Sequence, residues 1–460
     1  MAHFSDAVLT EQLELRRGWL RVNDAPACVF VFRFCVLSGL AVFRRKASLE
    51  AEHMTYQEAI TWLFGTQQFG IKLGLEGPRN LLKEFLAFPK YGVQVAHVAG
   101  TNGKGSTCAI MDRVARSCGR RTGLFTSPHL IDYRERMQVS GEMISAERCA
   151  ELLTEAREVC EGLDVHPTFF EITLAVAMRW FRERECELII LETGMGGRLD
   201  ATTAVPADVC LITPIAMDHT QWLGDTLGKV AGEKAGIFLE GVPAFSAPQE
   251  REAEAVLRKE ANEMRTPLEF VTEPLTGYGI ALAGEHQKWN AALALAGLHG
   301  LGIHLGSESV ADGLKNVSWP GRFERISFRG KEVILDGAHN PHAAEVLKNT
   351  WGREIGVKKG TLIFGAVESK DISGIFREFQ GLTERVIFCK VGTMRGLPLE
   401  ELIKVLPEDK QAAAEGYESF SEAITVAAGY DGPVLVAGSL FLIGEARAML
   451  LGGDFLASGQ

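Results

Sequence analysis

At 460 residues the chain is longer than one ordinary hydrophobic core accommodates, so two domains are expected. Hydrophobic residues at 46% and charged residues at 23% give the balance of a globular chain, and a formal net charge of -11 excludes a general nucleic-acid binder, which needs a basic surface. The 9 cysteines are scattered with no Cys-x-x-Cys pair, which argues against a zinc site or a disulfide framework and for a reducing cytosol.

In chain order, residues 1–53 stand apart. Residues 26–43 (PACVFVFRFCVLSGLAVF) are strongly apolar and follow Arg16, Arg17 and Arg21, the arrangement of an anchor or signal segment. Arg33 interrupts the run, which is shorter than the ~20 residues a spanning helix needs. No small-x-small cleavage pattern follows it. Met54-Thr-Tyr-Gln-Glu-Ala-Ile-Thr-Trp-Leu-Phe64 then begins an amphipathic helix. The expectation is that Met54 is the natural start and that residues 1–53 are a translated upstream extension, with an anchor or a genuine appendage as the alternative.

Short apolar runs then alternate with helical patterns. Strands are predicted at 93–98, 188–191, 209–213, 333–335, 362–364, 386–389 and 434–437. Near-continuous apolar strands separated by helices mean parallel sheets covered on both faces, so the fold class is α/β. Asn316-Val-Ser-Trp-Pro-Gly321 carries a Pro-Gly turn signal and is the linker candidate. The expected division is an extension at 1–53, a larger domain at 54–318 and a C-terminal domain at 319–460.

The stretch after the first predicted strand, Gly100-Thr-Asn-Gly-Lys-Gly-Ser106, opens a helix over 106–117. Glycines at 100, 103 and 105 let the backbone wrap tightly and present N–H groups to an anion. A phosphate would sit at the helix N-terminus, with Lys104 reaching the terminal phosphates and Ser106 bonding a phosphate or a magnesium-bound water. The spacing is two residues shorter than the general Gly-x4-Gly-Lys loop, which marks a subclass. Two later strands end in acids: Glu192 in Leu191-Glu-Thr-Gly-Met-Gly-Gly-Arg-Leu-Asp-Ala201, and Asp218-His219 after the strand at 209–213. Acidic strand ends behind a phosphate loop predict a magnesium site, where a lone loop hydrogen bond is the plainer alternative. Thr126-Ser-Pro-His129 ends a further apolar run and can add a hydroxyl.

Together with Phe125-Thr-Ser-Pro-His129, Glu233-Lys-Ala-Gly-Ile237 and Asp336-Gly-Ala-His-Asn-Pro341, these segments form six separated motifs in one order. They closely resemble dihydrofolate synthase/folylpolyglutamate synthase, a cytosolic branch of the Mur ligase superfamily, from Met54 to the C-terminus. The resemblance implies a P-loop Mur-ligase-type central domain with a mostly parallel sheet, plus a smaller Rossmann-like α/β C-terminal domain. It implies ATP-dependent ligation of L-glutamate to dihydropteroate or a folyl-polyglutamate through an acyl phosphate. It further implies Asn102, Gly103, Lys104, Gly105 and Ser106 as the phosphate cradle. Ser127, Glu192 and His219 resemble the ligands of two Mg2+ ions, and Lys234 the family's carbamylated lysine, a further metal ligand. Asn290 resembles a nucleotide-contacting asparagine, while Arg322, Asp336 and His339 would close over ATP from the second domain. Lys104, Lys234 and His339 are the catalytic candidates. Candidate substrate-binding residues are Lys72, Gly74, Thr168, Phe169, Phe170, Glu171, Leu199, Asp200 and Ala201, with aromatic rings stacking a flat pterin. Ordinary core packing is the alternative for Phe169 and Phe170. Thr193 stands where valine is common after the glutamate.

The expected partners are small molecules only, with no nucleic acid and no membrane, for a cytoplasmic monomer. Two other readings share the loop. A peptidoglycan-precursor Mur ligase would carry an N-terminal domain of about a hundred residues, more than the 54–94 stretch supplies. A P-loop kinase or nucleotide switch would not need a second domain bearing Asp336-Gly-Ala-His-Asn-Pro341.

Overall fold

The computed structural model describes residues 53–70, 72, 74–356, 360–368, 370–393 and 395–453. The apolar run at 26–43, with the rest of residues 1–52, lies outside them. No helix among the described residues is long and apolar enough to cross a membrane.

The first helix, α1 (Tyr56–Gly65), starts two residues after Met54 because Thr55 caps it: the Thr55 hydroxyl accepts from the Glu58 N–H, and the Glu58 carboxylate accepts from the Thr55 N–H. Beyond it, eight strands form one sheet: β1 (Gln94–Ala99), β2 (Thr122–Phe125), β3 (Met137–Val139), β4 (Glu142–Met143), β5 (Leu188–Glu192), β6 (Val209–Ile212), β7 (Ala244–Ser246) and β8 (Leu268–Phe270). Their order is β4-β3-β2-β5-β1-β6-β7-β8, antiparallel only at the β2-β3-β4 edge. Six more strands, β9 (Glu324–Phe328), β10 (Lys331–Leu335), β11 (Thr361–Phe364), β12 (Arg385–Cys389), β13 (Glu415–Tyr417) and β14 (Val434–Ala437), form a second sheet. Its order is β13-β12-β11-β14-β10-β9, and only the β9–β10 pair is antiparallel.

All seven predicted strands are present, within a residue or two at each end. Their apolar continuity has the expected cause: each buries both faces. Val95, Ile189, Leu191, Cys210 and Ile212 enter one core, while Ala96, Val98, Leu188, Ile190, Val209 and Leu211 enter another on the opposite face. In the second sheet Ile334, Leu362 and Leu435 point one way and Val333, Ile363 and Val434 the other. The strands that sequence patterning misses are short or lie at edges. β9 is one of them: it alternates partly buried and exposed positions and turns into β10 through Arg329 (φ 49°) and Gly330 (φ 78°), a two-residue hairpin turn with both residues left-handed.

Candidate active site

In the first sheet β1 lies between β5 and β6, both parallel to it, with Val98 opposite Glu192 and Ala99 opposite Ile212. The register therefore brings the loop after β1 level with Glu192 and with the segment leading to Asp218 and His219. Sequence spacing alone does not reveal this adjacency; the strand order creates it.

The helix α2 (Lys104–Ser117) starts two residues earlier than its apolar pattern indicates, because Gly103 takes a left-handed conformation (φ 88°) and serves as its N-cap. No side chain caps it, so the first-turn N–H groups are left to an external acceptor. The glycines are enforced by neighbours. A Cβ on Gly103 would lie 2.7 Å from Asn290 Oδ1, and one on Gly105 2.7 Å from Trp319 Nε1. Gly103→Ala should consequently still fold, with Tm lowered by a few degrees, and bind ADP on the order of 100-fold more weakly by calorimetry, because left-handed strain distorts the loop and Asn290 is displaced. Wild-type affinity in that variant would show that the loop does not bind phosphate.

Lys104 Nζ donates to the carbonyls of Gly100 (3.2 Å) and Thr101 (3.3 Å). Lys234, buried at the end of α3 (Leu227–Ala235), donates to the same Gly100 carbonyl at 2.8 Å. Two lysines thus share one acceptor. Burial, helped by the Lys104 cation, pushes the Lys234 amine down to about 7. Ser106 is buried, with Gln287 Nε2 3.4 Å from its hydroxyl, and Gln287 in turn accepts from Asn290 Nδ2 at 2.9 Å.

Glu192 is 5% exposed and accepts from the Ser127 N–H at 3.1 Å. Burial raises its carboxyl above the usual range against the pull of Lys104 and the Ser127 N–H. His219 is held left-handed at φ 51°, with its N–H on Asp218 Oδ1 at 2.8 Å. His219 is exposed at the cavity, but the walls around it desolvate its imidazole and push it down to about 4, which leaves a lone pair to give near pH 7. A carboxylate, a hydroxyl and a neutral imidazole suit a hard divalent ion that shares phosphate oxygens. Among the described residues no group of three or more His, Cys, Asp or Glu could hold a metal alone.

The second half supplies the opposite wall. Asp336 accepts from the N–H groups of Phe323 and Ala338, both at 2.9 Å, and so pins the loops carrying Arg322 and His339. Arg322 lines the cavity, its Nη1 donating to the Gly321 carbonyl at 3.1 Å. His339 Nδ1 bonds the Gly337 carbonyl at 2.7 Å, leaving Nε2 3.6 Å from Asp218. Four residues that sequence reasoning missed stand here. Asn340 and Asn102 exchange two amide hydrogen bonds, at 2.9 and 3.1 Å. His342 Nδ1 lies 2.9 Å from Asn102 Nδ2. Lys370 pairs with Asp218 at 2.5 Å, and Trp319, in the linker, packs on the phosphate loop. Asn340 and His342 are flagged by the Asp-Gly-Ala-His-Asn-Pro motif; Lys370 has no local signal beyond following a strand.

One cavity of about 910 Å³ gathers Gly100 to Ser106, Ser127, Glu192, His219, Lys234, Asn290, Arg322, Asp336 and His339. The expected substrate residues are not among its lining. Phe169 follows the core-packing alternative: it is 3% exposed, against Phe64 (centroids 5.4 Å apart) and under the Arg136 guanidinium at 5.2 Å. Phe170 packs on Gly194 and on Phe125, 5.7 Å between ring centroids. Thr168 and Glu171 form a reciprocal helix cap. Asp200 caps the short helix Ala201–Ala204 through the Thr202 N–H and hydroxyl, and also takes the Met195 N–H; Ala201 is buried behind it, while Leu199 is 38% exposed. Lys72 donates to the His166 carbonyl at 2.7 Å beside the stacked Phe69–His166 pair, and Gly74 (φ 143°) continues that loop.

Comparison with known proteins agrees with this arrangement. The family described as Mur ligase, glutamate ligase domain, matches residues 321–440. The dihydrofolate synthase/folylpolyglutamate synthase of Bacillus subtilis (strain 168) is 32% identical over 427 residues, spanning 86% of this chain and 99% of the relative. The structure of a bifunctional folylpolyglutamate synthase/dihydrofolate synthase from Yersinia pestis, complexed with AMPPNP and Mn ion, superposes with a TM-score of 0.79 at 30% identity, over 88% of this chain and 100% of the other. Escherichia coli FolC in complex with DHPP and ADP gives 0.77 at 29%, over 86% and 98%. Likeness of this degree along nearly the full length of such enzymes means that the chain belongs to the dihydrofolate synthase/folylpolyglutamate synthase family of Mur-type ligases.

Proposed function

We propose that this ATP-dependent carboxylate–amine ligase joins L-glutamate to dihydropteroate, to a folyl-polyglutamate, or to both. The observation that carries the reading is the meeting, at one cavity, of an uncapped glycine-wrapped phosphate loop, the side chains of Ser127, Glu192 and His219, and a docked second half. A kinase or switch needs only the first two. Residues 54–318 would bind ATP and residues 319–460 would close over it, excluding water from the activated intermediate.

The substrate carboxylate attacks the γ-phosphorus and the bond to ADP breaks, leaving an acyl phosphate. The glutamate amine then attacks the acyl carbon, loses a proton and expels phosphate. Lys104 and the first-turn N–H groups of α2 would hold the β- and γ-phosphates in line. Asn290 would contact the nucleotide, with Arg322, Asp336 and His339 reaching it from the other wall. Ser127, Glu192 and His219 would hold Mg2+, which when bound neutralises charge on the transferring phosphoryl group. Lys234 is proposed as a carbamate ligand of a second ion: its amine is buried beside another cation, which favours the neutral form that takes up carbon dioxide. The Phe69–His166 face, with Lys72 and Gly74 beside it, is the proposed pterin-side surface, and Phe170 and Asp200 lie against the Gly194–Met195 segment that follows Glu192. Both walls of the site come from one chain, which supports a monomer; the seven described cysteines are free thiols, in keeping with the cytoplasm.

With MgATP, dihydropteroate and L-glutamate, ADP release is expected to require all three, and to fall to background when either dihydropteroate or glutamate is omitted. A parallel reaction with a reduced folate assigns the acceptor. ADP release that ignores glutamate in both reactions would contradict the proposal.

A further inference from the structure

The candidate metal ligand His219 does not take its backbone conformation unaided. It is a non-glycine residue at φ 51°, and its N–H is held by the carboxylate of its own neighbour, Asp218. That carboxylate is 7% exposed, and its remaining acceptor positions are filled from the second half of the chain: Lys370 on Oδ1 at 2.5 Å, Asn340 Nδ2 on Oδ2 at 3.2 Å, with His339 Nε2 at 3.6 Å. Asn340 is tied in turn to the phosphate loop by its two amide bonds with Asn102, and its Oδ1 also caps the helix α4 (Pro341–Glu354) by accepting the Ala343 N–H at 2.9 Å. Lys370, Asn340 and His339 come from loops at the carboxyl ends of β10 and β11, so only docking of the second half brings them to Asp218.

We infer that Asp218 is a positioning residue that couples docking of the second half, through Lys370 and Asn340, to the setting of His219 and the phosphate loop. With the second half away, Asp218 would lose its cation and its amide donor and Asn102 its side-chain partner, leaving the bonds between Thr101–Asn102 and Pro214–Ala216 to join the two segments without fixing either side chain. The metal site and the phosphate cradle are then complete only when the cleft is shut, which keeps ATP from water until the acceptors are enclosed. Lys370 is thus a docking cation, not a contact to substrate. The inference rests on the ligase reading of this cavity.

Three variants test it: Lys370→Met, Asp218→Asn and the double variant. Each single change should lower kcat on the order of 100-fold, since misplacing a reacting group by about an ångström costs that much. KM for glutamate should stay within about threefold of wild type, while Kd for MgADP should rise, since the metal site and the phosphate cradle are both left unset. Lys370→Met strands a buried carboxylate and should lower Tm; the double variant removes both charges and should recover Tm while kcat stays low, no worse than the poorer single variant within about threefold. Recovery of kcat along with Tm would reduce the pair to a structural role and overturn the inference. So would losses that multiply, or a raised KM for glutamate confined to Lys370→Met. Wild-type protein that shows no glutamate-dependent ADP release would instead sink the ligase reading, before any variant is made.

Discussion

Lys234→Arg is expected to lose on the order of 1,000-fold in kcat despite keeping a positive charge, and Lys234→Glu to lose as much. The reason is the environment of the amine. Lys234 is 4% exposed, donates to the Gly100 carbonyl and shares that acceptor with Lys104. A second cation pressed against the first is poorly placed to bind phosphate, and burial together with Lys104 already brings the amine down to about 7. Its neutral fraction grows as pH rises through that value, and the neutral amine can add carbon dioxide. The proposed carbamate would be an anion next to Lys104, which would turn a repulsion into an attraction and supply a negative ligand for a second magnesium ion. Arg cannot form it at that position, and Glu is shorter. Two further results are expected: partial rescue of Lys234→Ala by a small carboxylate, and slower wild-type turnover after bicarbonate depletion. Substantial activity in Lys234→Arg would mean a cationic role instead, as would an unmodified amine beside bound MgATP in a high-resolution map.

Glu192→Gln and Lys104→Ala are the other two changes with large expected effects, on the order of 100- to 1,000-fold in kcat. Their stabilities should hold. Burial raises the Glu192 carboxyl, so the native state binds its proton more tightly than the unfolded chain. Stability attributable to this group therefore falls as pH climbs from the unfolded to the folded pKa, and at neutral pH the ionised form is a cost. Gln keeps the shape and removes that cost, so Tm should stay or rise while turnover collapses and the magnesium requirement steepens. Lys104 bonds only loop carbonyls, so its loss should leave the fold intact. Near-normal kcat in either variant would remove that residue from the site.

What the sequence discloses of this site follows from what is local. The strand before Gly100, the glycine spacing and the acids ending β5 and following β6 are all legible, because a parallel strand buried on both faces is apolar along its length and stops abruptly at its functional end. Which of those strand ends are neighbours depends on strand order, which no local pattern records. Lys370 and Trp319 are invisible for the same reason: each acquires meaning from a segment far away in the chain, Asp218 for one and Gly105 for the other. Phe169 and Asp200 illustrate the opposite limit. Both sit in motifs resembling a substrate-binding family, yet Phe169 packs in the core and Asp200 caps a helix and holds the Met195 N–H. A motif carries its structural residues along with its chemical ones, and contact with the cavity separates the two: Glu192 and Lys234 are as buried as Phe169 and Asp200 but line it.

The central claim is that this cavity activates a carboxylate by phosphorylation and captures it with glutamate. It is tested most directly by supplying dihydropteroate with heavy-oxygen-labelled carboxylate, MgATP and L-glutamate, then analysing product and phosphate together by mass spectrometry. The account predicts a glutamylated product, with one labelled oxygen carried into the released inorganic phosphate. Glutamylated product beside unlabelled phosphate, or ATP consumed with no new amide formed, would contradict it.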